Sequence, residues 1–349
     1  MKKYTVAVAG LGERGKIHLR GLTENPDRFE IVGIFDPNPK AVADAGALYG
    51  DLPVFSGAKA MLDETKPDVF CFVTHPEIRL EYVRIGIESG IQALSFEKPM
   101  ALSLRDAKTI RDLCKESGVK ALVCHQQKYL ASLQKFKSIL DRGVIGQPYL
   151  IHVTMAAWMP YLATHFVDYA LWANHGIGAE SVVGHVHGAE KLHDGHPYAD
   201  YLMAQAVMKN NVRLIIESGY YSPEHVNRLD PDGFWADNRI TVYGDTGYVW
   251  AQTNGEWGCF TPESPQMQKG STEVFHVQEV KVQTPYYAEL ADWLDDSKKV
   301  HSCNIDAAYA GYEILEAAGL SALDHRRVDL PITDFSYEDV LERLRKELK

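Results

Sequence analysis

The sequence Thr5-Val6-Ala7-Val8-Ala9-Gly10-Leu11-Gly12-Glu13-Arg14-Gly15 decides the fold of the N-terminal part of the chain. It joins a short apolar run to a Gly-x-Gly-x-x-Gly pattern, and a helical pattern follows. Alone the glycines are a weak signal, but between a strand and a helix they are typical of a loop that binds a dinucleotide. Gly10 permits a tight turn, Gly12 lets a pyrophosphate approach the backbone, and Gly15 lets the helix pack on the strand. We therefore expect residues 10–15 to hold a cofactor at a helix N-terminus, where N–H groups attract anions.

An acidic residue follows the second predicted strand. The run Glu30–Phe35 is followed by Asp36, whose carboxylate could accept hydrogen bonds from both hydroxyls of the adenosine ribose. The same charge would repel a 2′-phosphate, so the sequence favours NAD over NADP. A glycine-rich turn and an aspartate that caps a helix are the structural alternative for the same residues.

Strand-like and helical segments alternate as far as residue 124. Continuous apolar strands that alternate with helices indicate a parallel sheet covered by helices on both faces. We therefore expect a doubly wound Rossmann domain over residues 1–124. Its predicted strands are Thr5–Ala9, Glu30–Phe35, Asp68–Val73, Gln92–Phe96 and Lys120–Cys124.

Beyond residue 125 the strands become longer and follow one another without helices between most of them. This pattern predicts a second α/β domain, residues 125–349, with a mostly antiparallel sheet and a helix over Leu162–Asn174. Asn210-Asn211 reads as a hairpin turn. The predicted strands are Tyr149–Trp158, Ser181–Gly188, Tyr201–Met208, Val212–Tyr221 and Arg239–Tyr243.

Composition and charge narrow the possible partners. The 349 residues are 46% apolar and 24% charged, which is typical of a globular chain of about two domains. A formal net charge of −11 argues against nucleic acid or an anionic membrane surface as a partner. We find no signal peptide and no apolar run near the roughly 18 residues of a membrane span. Five cysteines without a Cys-x-x-Cys pattern predict reduced thiols in a cytoplasmic protein.

The predicted strand Gln92–Phe96 leads into Glu97-Lys98-Pro99. Ligands of open parallel sheets bind at the carboxyl ends of the strands, so we expect Lys98 near the nicotinamide end of the cofactor. A solvated lysine before a loop proline is the alternative. Together with the glycine loop, Glu97-Lys98-Pro99 resembles the glucose-fructose oxidoreductase, inositol dehydrogenase and rhizopine-catabolism (Gfo/Idh/MocA) family of NAD(P)-dependent oxidoreductases, whose signature is Glu-Lys-Pro.

Further segments are similar to motifs of that family, and the resemblance covers roughly residues 4–330. It implies a large open sheet in the second domain, whose face often forms dimers and tetramers, and a cis Lys98–Pro99 peptide bond. We therefore expect a homodimer or homotetramer. The matching segments are His125-Gln126-Gln127-Lys128-Tyr129, Gly143-Val144-Ile145-Gly146-Gln147-Pro148, His165-Phe166-Val167-Asp168 and Tyr243-Gly244-Asp245-Thr246-Gly247.

Three positions depart from the family pattern. Arg79 stands where a histidine is frequent, Lys128 where arginine is usual, and Tyr161 where many members have an aspartate. These departures bear on the substrate more than on the reaction. The resemblance also implies cofactor contacts at Thr74, His75, Glu97 and Gln126, in addition to Leu11, Glu13, Arg14 and the glycines of the loop.

Oxidation of a secondary alcohol needs a hydride acceptor, a base and a positive group. NAD is the expected acceptor, and the reference pKa of histidine suits His165 as the base. Lys98 could polarise the hydroxyl, or could itself be the base if burial lowers its pKa. Tyr161, His165, Asp168 and Trp172 share a helix stripe, on which Asp168 could orient the imidazole. A buried core histidine is the alternative reading of His165.

Aromatic side chains in the second half suit a carbohydrate, because sugar rings pack their C–H faces on them. Trp158, Tyr161 and Trp235 are the candidates, with Lys98, Lys128 and His165 as polar contacts. His185, His187, His193 and His196 lie close in sequence, but they lack the ligand spacing of a settled metal site, so we expect no metal.

The leading hypothesis is an NAD-dependent sugar or polyol dehydrogenase that oxidises a ring secondary hydroxyl, such as C3 of a glucoside. A glycoside is favoured over a bare cyclitol because Tyr161 replaces a charge with an aromatic surface. One alternative is a redox-neutral glycosidase that acts through a transient 3-keto sugar. Another is a non-catalytic sensor that binds NAD. We expect no nucleic-acid or membrane partner.

Overall fold

The computed structural model describes residues 2–156, 163–193, 197–219 and 238–348. The strands are β1 Tyr4–Ala9, β2 Phe29–Phe35, β3 Val69–Phe72, β4 Ala93–Glu97, β5 Lys120–Cys124, β6 Pro148–Met155, β7 Ala179–His187, β8 Tyr201–Met208, β9 Arg213–Gly219, β10 Asn238–Gly244, β11 Tyr248–Gln252, β12 Glu256–Thr261, β13 Ser264–Ser271 and β14 Val328–Asp329. The helices are α1 Glu13–Thr23, α2 Pro39–Tyr49, α3 Ala58–Thr65, α4 Arg79–Glu88, α5 Leu104–Ser117, α6 Ala131–Asp141, α7 Ala163–Ala173, α8 Phe275–Gln278, α9 Gln283–Asp295, α10 Ile305–Asp324 and α11 Val340–Glu347.

The chain divides into two compact units. The first contains residues 1–126 and 279–309, and the second contains residues 127–278 and 310–349. The sequence places a division after residue 124; it gives no sign that residues 279–309 return to the first unit.

The first unit is built on a parallel sheet with the strand order β2-β1-β3-β4-β5. Strands β3 and β4 are buried along their whole length, as continuous apolar strands under helices should be. The predicted strands lie within two residues of the observed ones. The sequence prediction of a parallel, helix-covered sheet is therefore confirmed.

Helix α9 joins the first unit through its contact with α1. Gly21 of α1 lies so close to Gln283 that a Cβ there would meet the Gln283 backbone and Cβ. Tyr286 and Tyr287 of α9 are completely buried. At the far end of α9, Asp295 pairs with Arg28 Nη2 at 2.6 Å. Burial of these aromatic rings explains why a segment distant in sequence packs here.

The second unit contains a sheet in which the described residues form nine strands, in the order β13-β12-β11-β10-β6-β9-β8-β7-β14. Only the pair β6 and β9 is parallel, so the predicted mostly antiparallel sheet is confirmed. The hairpin between β8 and β9 turns at Asn211, which has a φ of 65°. Helix α7 packs its buried residues against β6, β9 and β10.

One face of this sheet is open among the described residues. Val183 on β7 and Met203 on β8 are 40% and 39% exposed, and Val183 pairs with Gln205, two residues along from Met203. In the described parts of the chain, no helix has the length and apolar character needed to cross a bilayer.

Candidate functional site

The glycine loop in the first unit connects β1 to α1 as predicted. Gly10 has a φ of +87°, and a Cβ there would overlap the carbonyl oxygen of Val73. A Cβ at Gly15 would overlap the carbonyl oxygen of Gly10. These two glycines are therefore required by close backbone packing, and the positive φ of Gly10 adds a conformational reason.

Gly12 is different, because a Cβ there would meet no atom of the described residues within 4 Å. Its φ of −61° and ψ of −170° are open to any residue, and no side chain caps the helix that it begins. The open space beside Gly12 and the uncapped N-terminus of α1 fit an anionic group such as a pyrophosphate. The loop therefore offers the open space and the free N–H groups that the pyrophosphate of a dinucleotide needs.

Asp36 lies at the end of β2, where it also organises the loop. Its Oδ2 accepts from the backbone N–H of Leu11 at 2.7 Å, and its Oδ1 accepts from the backbone N–H of Asn38 at 2.7 Å. Each carboxylate oxygen keeps a further lone pair that a ribose hydroxyl could use. The side chain is partly exposed, so it stays accessible to a ligand.

Thr74 and His75 follow β3 at the same carboxyl edge of the sheet. Thr74 Oγ1 is buried without a hydrogen-bond partner among the described residues, which is the state of a group that awaits a ligand. His75 is exposed. Arg79, where the family often has a histidine, is buried and donates through Nη2 to the carbonyl oxygens of Thr74 at 3.0 Å and Lys98 at 3.3 Å.

Glu97 ends β4, and Lys98 follows it through a backbone that continues with a cis Lys98–Pro99 peptide bond, as the resemblance implies. Burial lowers the pKa of Lys98 below its usual range, Glu97 opposes the shift, and Arg14 adds to it. Arg79 lowers the Lys98 pKa further. Lys98 is thus a cation whose proton is easier to remove than that of a surface lysine.

Glu97 is held by charged neighbours that the sequence did not reveal. Arg14 donates to Glu97 Oε1 through Nε at 3.2 Å and Nη2 at 3.1 Å, and His18 Nε2 lies 3.2 Å from the same oxygen. With its amide oxygen toward Arg14, Gln126 accepts from Nη2 at 2.8 Å. Burial alone would raise the pKa of Glu97, but Arg14 and His18 hold it well below its usual range.

In the second unit, His165 lies on α7 and is 1% exposed. Its ring is 6.2 Å from that of Tyr169, whose hydroxyl donates to Gln127. Asp168 lies 2.8 Å from Lys128 Nζ, and both side chains are 1% exposed. The structure pairs Asp168 with Lys128, and orientation of His165 by Asp168 stays a prediction.

The remaining predicted residues are placed as follows. Trp172, the last member of the predicted helix stripe, is only half-buried and packs under Lys137 Nζ, 5.5 Å from the ring centre. His185 and His187 are exposed on β7. Trp158, Tyr161, His196 and Trp235 lie outside the described residues.

Sequence reasoning missed His18, which contacts Glu97, and also Gln283 and Tyr287, which contact His18. The i, i+4 spacing of Arg14 and His18 on α1 would have placed both on one helix face. No local signal links Tyr287 to them, because it arrives on α9, more than 250 residues later.

Residues 4–125 match the model of a family described as an oxidoreductase family with an NAD-binding Rossmann fold. The match confirms the resemblance noted in the sequence, and with it NAD as the cofactor of the family. The chain is similar to the D-apiose dehydrogenase of Paraburkholderia graminis, with 27% identity over 47% of this chain and 44% of that protein. It is 28% identical to an inositol 2-dehydrogenase of Saccharopolyspora erythraea, over 42% of this chain and 43% of that protein. The alignments thus span less than half of the length of these relatives.

A levoglucosan dehydrogenase, solved in complex with NADH and L-sorbose, has a similar fold. The TM-score is 0.78, and the match covers 95% of this chain and 100% of that chain at 16% identity. At this level of identity the likeness shows the fold alone.

Proposed function

We propose that the chain is an NAD-dependent dehydrogenase of a sugar, glycoside or cyclitol, because residues 4–125 match the model of an oxidoreductase family with an NAD-binding Rossmann fold. One observation carries the proposal. A half-buried lysine of lowered pKa, Lys98, directly follows β4 at the carboxyl edge of a sheet that also carries an uncapped, glycine-lined helix N-terminus.

The cofactor would be held by residues 10–15, Asp36 and Thr74. The N–H groups at the start of α1 suit the pyrophosphate, the Asp36 carboxylate suits the adenosine ribose, and Thr74 Oγ1 offers a buried polar atom. Bound NAD supplies a hydride acceptor. The Asp36 charge supports a preference for NAD over NADP, since a 2′-phosphate beside it would be repelled.

Lys98 would polarise the substrate hydroxyl or take its proton. In its charged form it stabilises the developing alkoxide, and a half-buried cation does so more strongly than one in water. In its neutral form it can accept the proton, which its lowered pKa favours. The ionised Glu97 beside it resists complete loss of the charge.

His165 is the proposed proton acceptor in the second unit. It lies on the buried face of α7, one turn before the Asp168–Lys128 ion pair. Breaking a buried ion pair is costly because it leaves a charge without its counter-ion, so the pair stabilises the position of α7. Tyr161 is proposed to face the substrate with His165; it lies outside the described residues.

The substrate proposal is a ring secondary hydroxyl, such as C3 of a glycoside. The two curated relatives are named for a sugar and an inositol, and the similar solved structure was determined with a sugar. Trp158, Tyr161 and Trp235 remain proposed substrate contacts.

The test is a panel of monosaccharides, inositols and glycosides, with NAD reduction followed by absorbance. K98M and H165A should each lower kcat by about 10²–10⁴-fold while NAD affinity stays nearly unchanged. K66M and H185A are matched controls, because both side chains are exposed and neither is proposed to contact cofactor or substrate. If Lys98 and His165 serve one step, the loss in the double variant is smaller than the product of the two single losses.

The readout separates the alternative functions. A dehydrogenase accumulates NADH, whereas a redox-neutral glycosidase releases an aglycone without net NADH. Tight NAD binding without turnover of any substrate would indicate a sensor and contradict the proposal.

Two further proposals concern the cellular compartment and the oligomeric state of the protein. The five cysteines form no disulfide, which supports a reducing compartment such as the cytoplasm. The exposed Val183 and Met203 on the open sheet face support a homodimer or homotetramer. A monomer in light scattering at micromolar concentration would contradict the oligomer.

A further inference from the structure

A chain of buried polar groups runs behind Glu97 in the first unit. His18 on α1 is completely buried, and its two ring nitrogens have different partners. Nε2 lies 3.2 Å from Glu97 Oε1, and Nδ1 lies 2.6 Å from the hydroxyl of Tyr287. The Tyr287 hydroxyl lies 3.1 Å from Cys71 Sγ. The chain therefore links α9 and β3 to the carboxylate beside Lys98.

The hydrogen bond between His18 and Glu97 has one direction. An ionised carboxylate is only an acceptor, so His18 must donate from Nε2 to Glu97. Burial alone would lower the pKa of His18, but the neighbouring Cys71 and Cys124 hold it well above its usual range. In the imidazolium, Nδ1 donates to the Tyr287 hydroxyl oxygen, and the tyrosine can donate in turn to Cys71 Sγ. Gln283 Nε2 lies 3.0 Å from Nε2 and 3.1 Å from Nδ1, which confines the ring further. In either protonation state the ring nitrogen that donates to Glu97 is Nε2.

The hydrogen bonds that the described residues give Glu97 all fall on Oε1. Two come from Arg14 and one from His18, while the structure gives Oε2 no such partner in the described ranges. A carboxylate held at one oxygen by two side chains has a defined orientation. The charge of this oriented carboxylate acts on the neighbouring Lys98, whose pKa it raises.

A metal site is the competing explanation for these residues. His18, Glu97 and Cys124 bring one ligand atom each within 4.8 Å of one another. The Arg14 guanidinium, however, donates twice to Glu97 Oε1 and already neutralises the carboxylate that a metal would need. A divalent ion would also lie close to Lys98, whose charge repels it. The hydrogen-bonded arrangement is therefore favoured.

We propose that His18 is a positioning residue for Lys98, acting through Glu97, with Tyr287 fixing the donor nitrogen of the imidazole. The proposal rests on the catalytic role of Lys98 under the proposed function. It assigns His18 no contact with substrate or cofactor. Its effect is on the orientation and charge of Glu97, and through that carboxylate on the proton of Lys98.

The expected direction follows from the charges around Lys98, which are Glu97, Arg14 and Arg79; the Cys124 thiol is the neighbouring titratable group. Without His18, Glu97 stays ionised because Arg14 still donates to it. The carboxylate loses one hydrogen-bond donor, however, and its negative charge is less neutralised. The less neutralised carboxylate then stabilises the Lys98 ammonium, and the pKa of Lys98 rises.

The experiment measures the proton of Lys98 directly in the full chain without cofactor. Competitive acetylation with acetic anhydride, followed by peptide mass spectrometry, reports the reactivity of each lysine against pH. H18L and H18Q are compared, since the side chains are similar in size and only glutamine retains an N–H donor. H18L should raise the pH midpoint of Lys98 labelling by about one unit. At a fixed pH below the midpoint, Lys98 should then be labelled about tenfold more slowly. H18Q should restore most of the wild-type midpoint.

A tyrosine pair keeps the test valid if H18L fails to fold. Y287F removes the hydroxyl that faces His18, whereas Y286F removes an equally buried neighbouring hydroxyl that lies 3.0 Å from Ser95 Oγ. Y287F should shift the midpoint in the same direction as H18L but less, and Y286F should leave it unchanged.

Equal Lys98 midpoints in wild type and H18L would overturn the proposal, as would equal shifts in H18L and H18Q or in Y287F and Y286F. In the holoenzyme with an active substrate, the pH limb of kcat that belongs to Lys98 should move by the same amount. A shifted labelling midpoint without any sugar oxidation would contradict the proposed function and leave the positioning role intact. The labelling experiment therefore tests the positioning role of His18, and the turnover experiment separately tests the proposed function.

Discussion

Replacing Gly12 by alanine should separate cofactor binding from stability. The backbone at Gly12, with a φ of −61° and a ψ of −170°, accepts any residue, and its Cβ would meet no described atom within 4 Å. The free energy of unfolding of G12A should therefore stay within about 0.5 kcal/mol of wild type. A methyl group there would occupy the space assigned to the pyrophosphate. Loss of one charge-assisted hydrogen bond, about 1.5–3 kcal/mol, would weaken NAD binding by about tenfold to a hundredfold.

Gly15 provides the opposite case in the same loop. A Cβ at Gly15 would overlap the carbonyl oxygen of Gly10, so α1 would have to move away from β1. G15A should lower the free energy of unfolding by about 1–3 kcal/mol. G46A is the matched control, because Gly46 lies in α2, away from the loop, and a Cβ there would meet no described atom within 4 Å.

The two properties are measured separately. Urea unfolding without cofactor reports stability, and calorimetric titration with NAD reports affinity. G12A with wild-type stability and wild-type NAD affinity would refute the assignment of the loop. G12A as unstable as G15A would refute the packing argument.

The other predictions concern one residue or pair each. D36S should weaken NAD binding and relax the discrimination against NADP in competitive titrations, and tighter binding of NADP than NAD by the unmodified protein would contradict the role of Asp36. K128M or D168N alone should cost about 3–5 kcal/mol in urea unfolding because a buried charge loses its partner, while K128M/D168L should recover much of that loss. Burial raises the pKa of Glu316 to about 7, although the hydrogen bond from Tyr337 lowers it. The folded state therefore binds the Glu316 proton more tightly than the unfolded state. The Glu316 carboxyl therefore lowers stability as the pH rises from about 4.5 to about 7, by an amount on the order of 3 kcal/mol, and E316Q should abolish this dependence in unfolding curves recorded across that range.

The parallel sheet and the cofactor loop could be predicted because their signals are local. A buried parallel strand is a continuous apolar run, and the loop glycines, Asp36 and Lys98 each follow a strand directly. The carboxyl ends of parallel strands meet at one edge, so residues that follow those strands come together without any knowledge of distant contacts. The catalytic roles of Lys98 and His165 stay predictions.

The side-chain contacts that pair the charged residues of the site could not be predicted from local sequence in this way. His165 and Asp168 are one turn apart on α7, and this spacing suggested that Asp168 orients the imidazole, which stays a prediction. The spacing gave no sign that Lys128 reaches Asp168 from the segment after β5. Helix spacing carries no information about side chains on other elements, so the counter-ion of this buried carboxylate could not be predicted.

The sequence by itself determined the Rossmann unit, the glycine loop with its acidic partner Asp36, and the Glu97-Lys98-Pro99 turn at the sheet edge. These features depend on backbone conformation and on the alternation of strands and helices, which neighbouring residues specify. Only the tertiary structure decided that α9 returns to the first unit and places Tyr287 against His18. The return depends on burial of aromatic surface and on satisfying polar groups inside the core, and both depend on residues more than 250 positions apart.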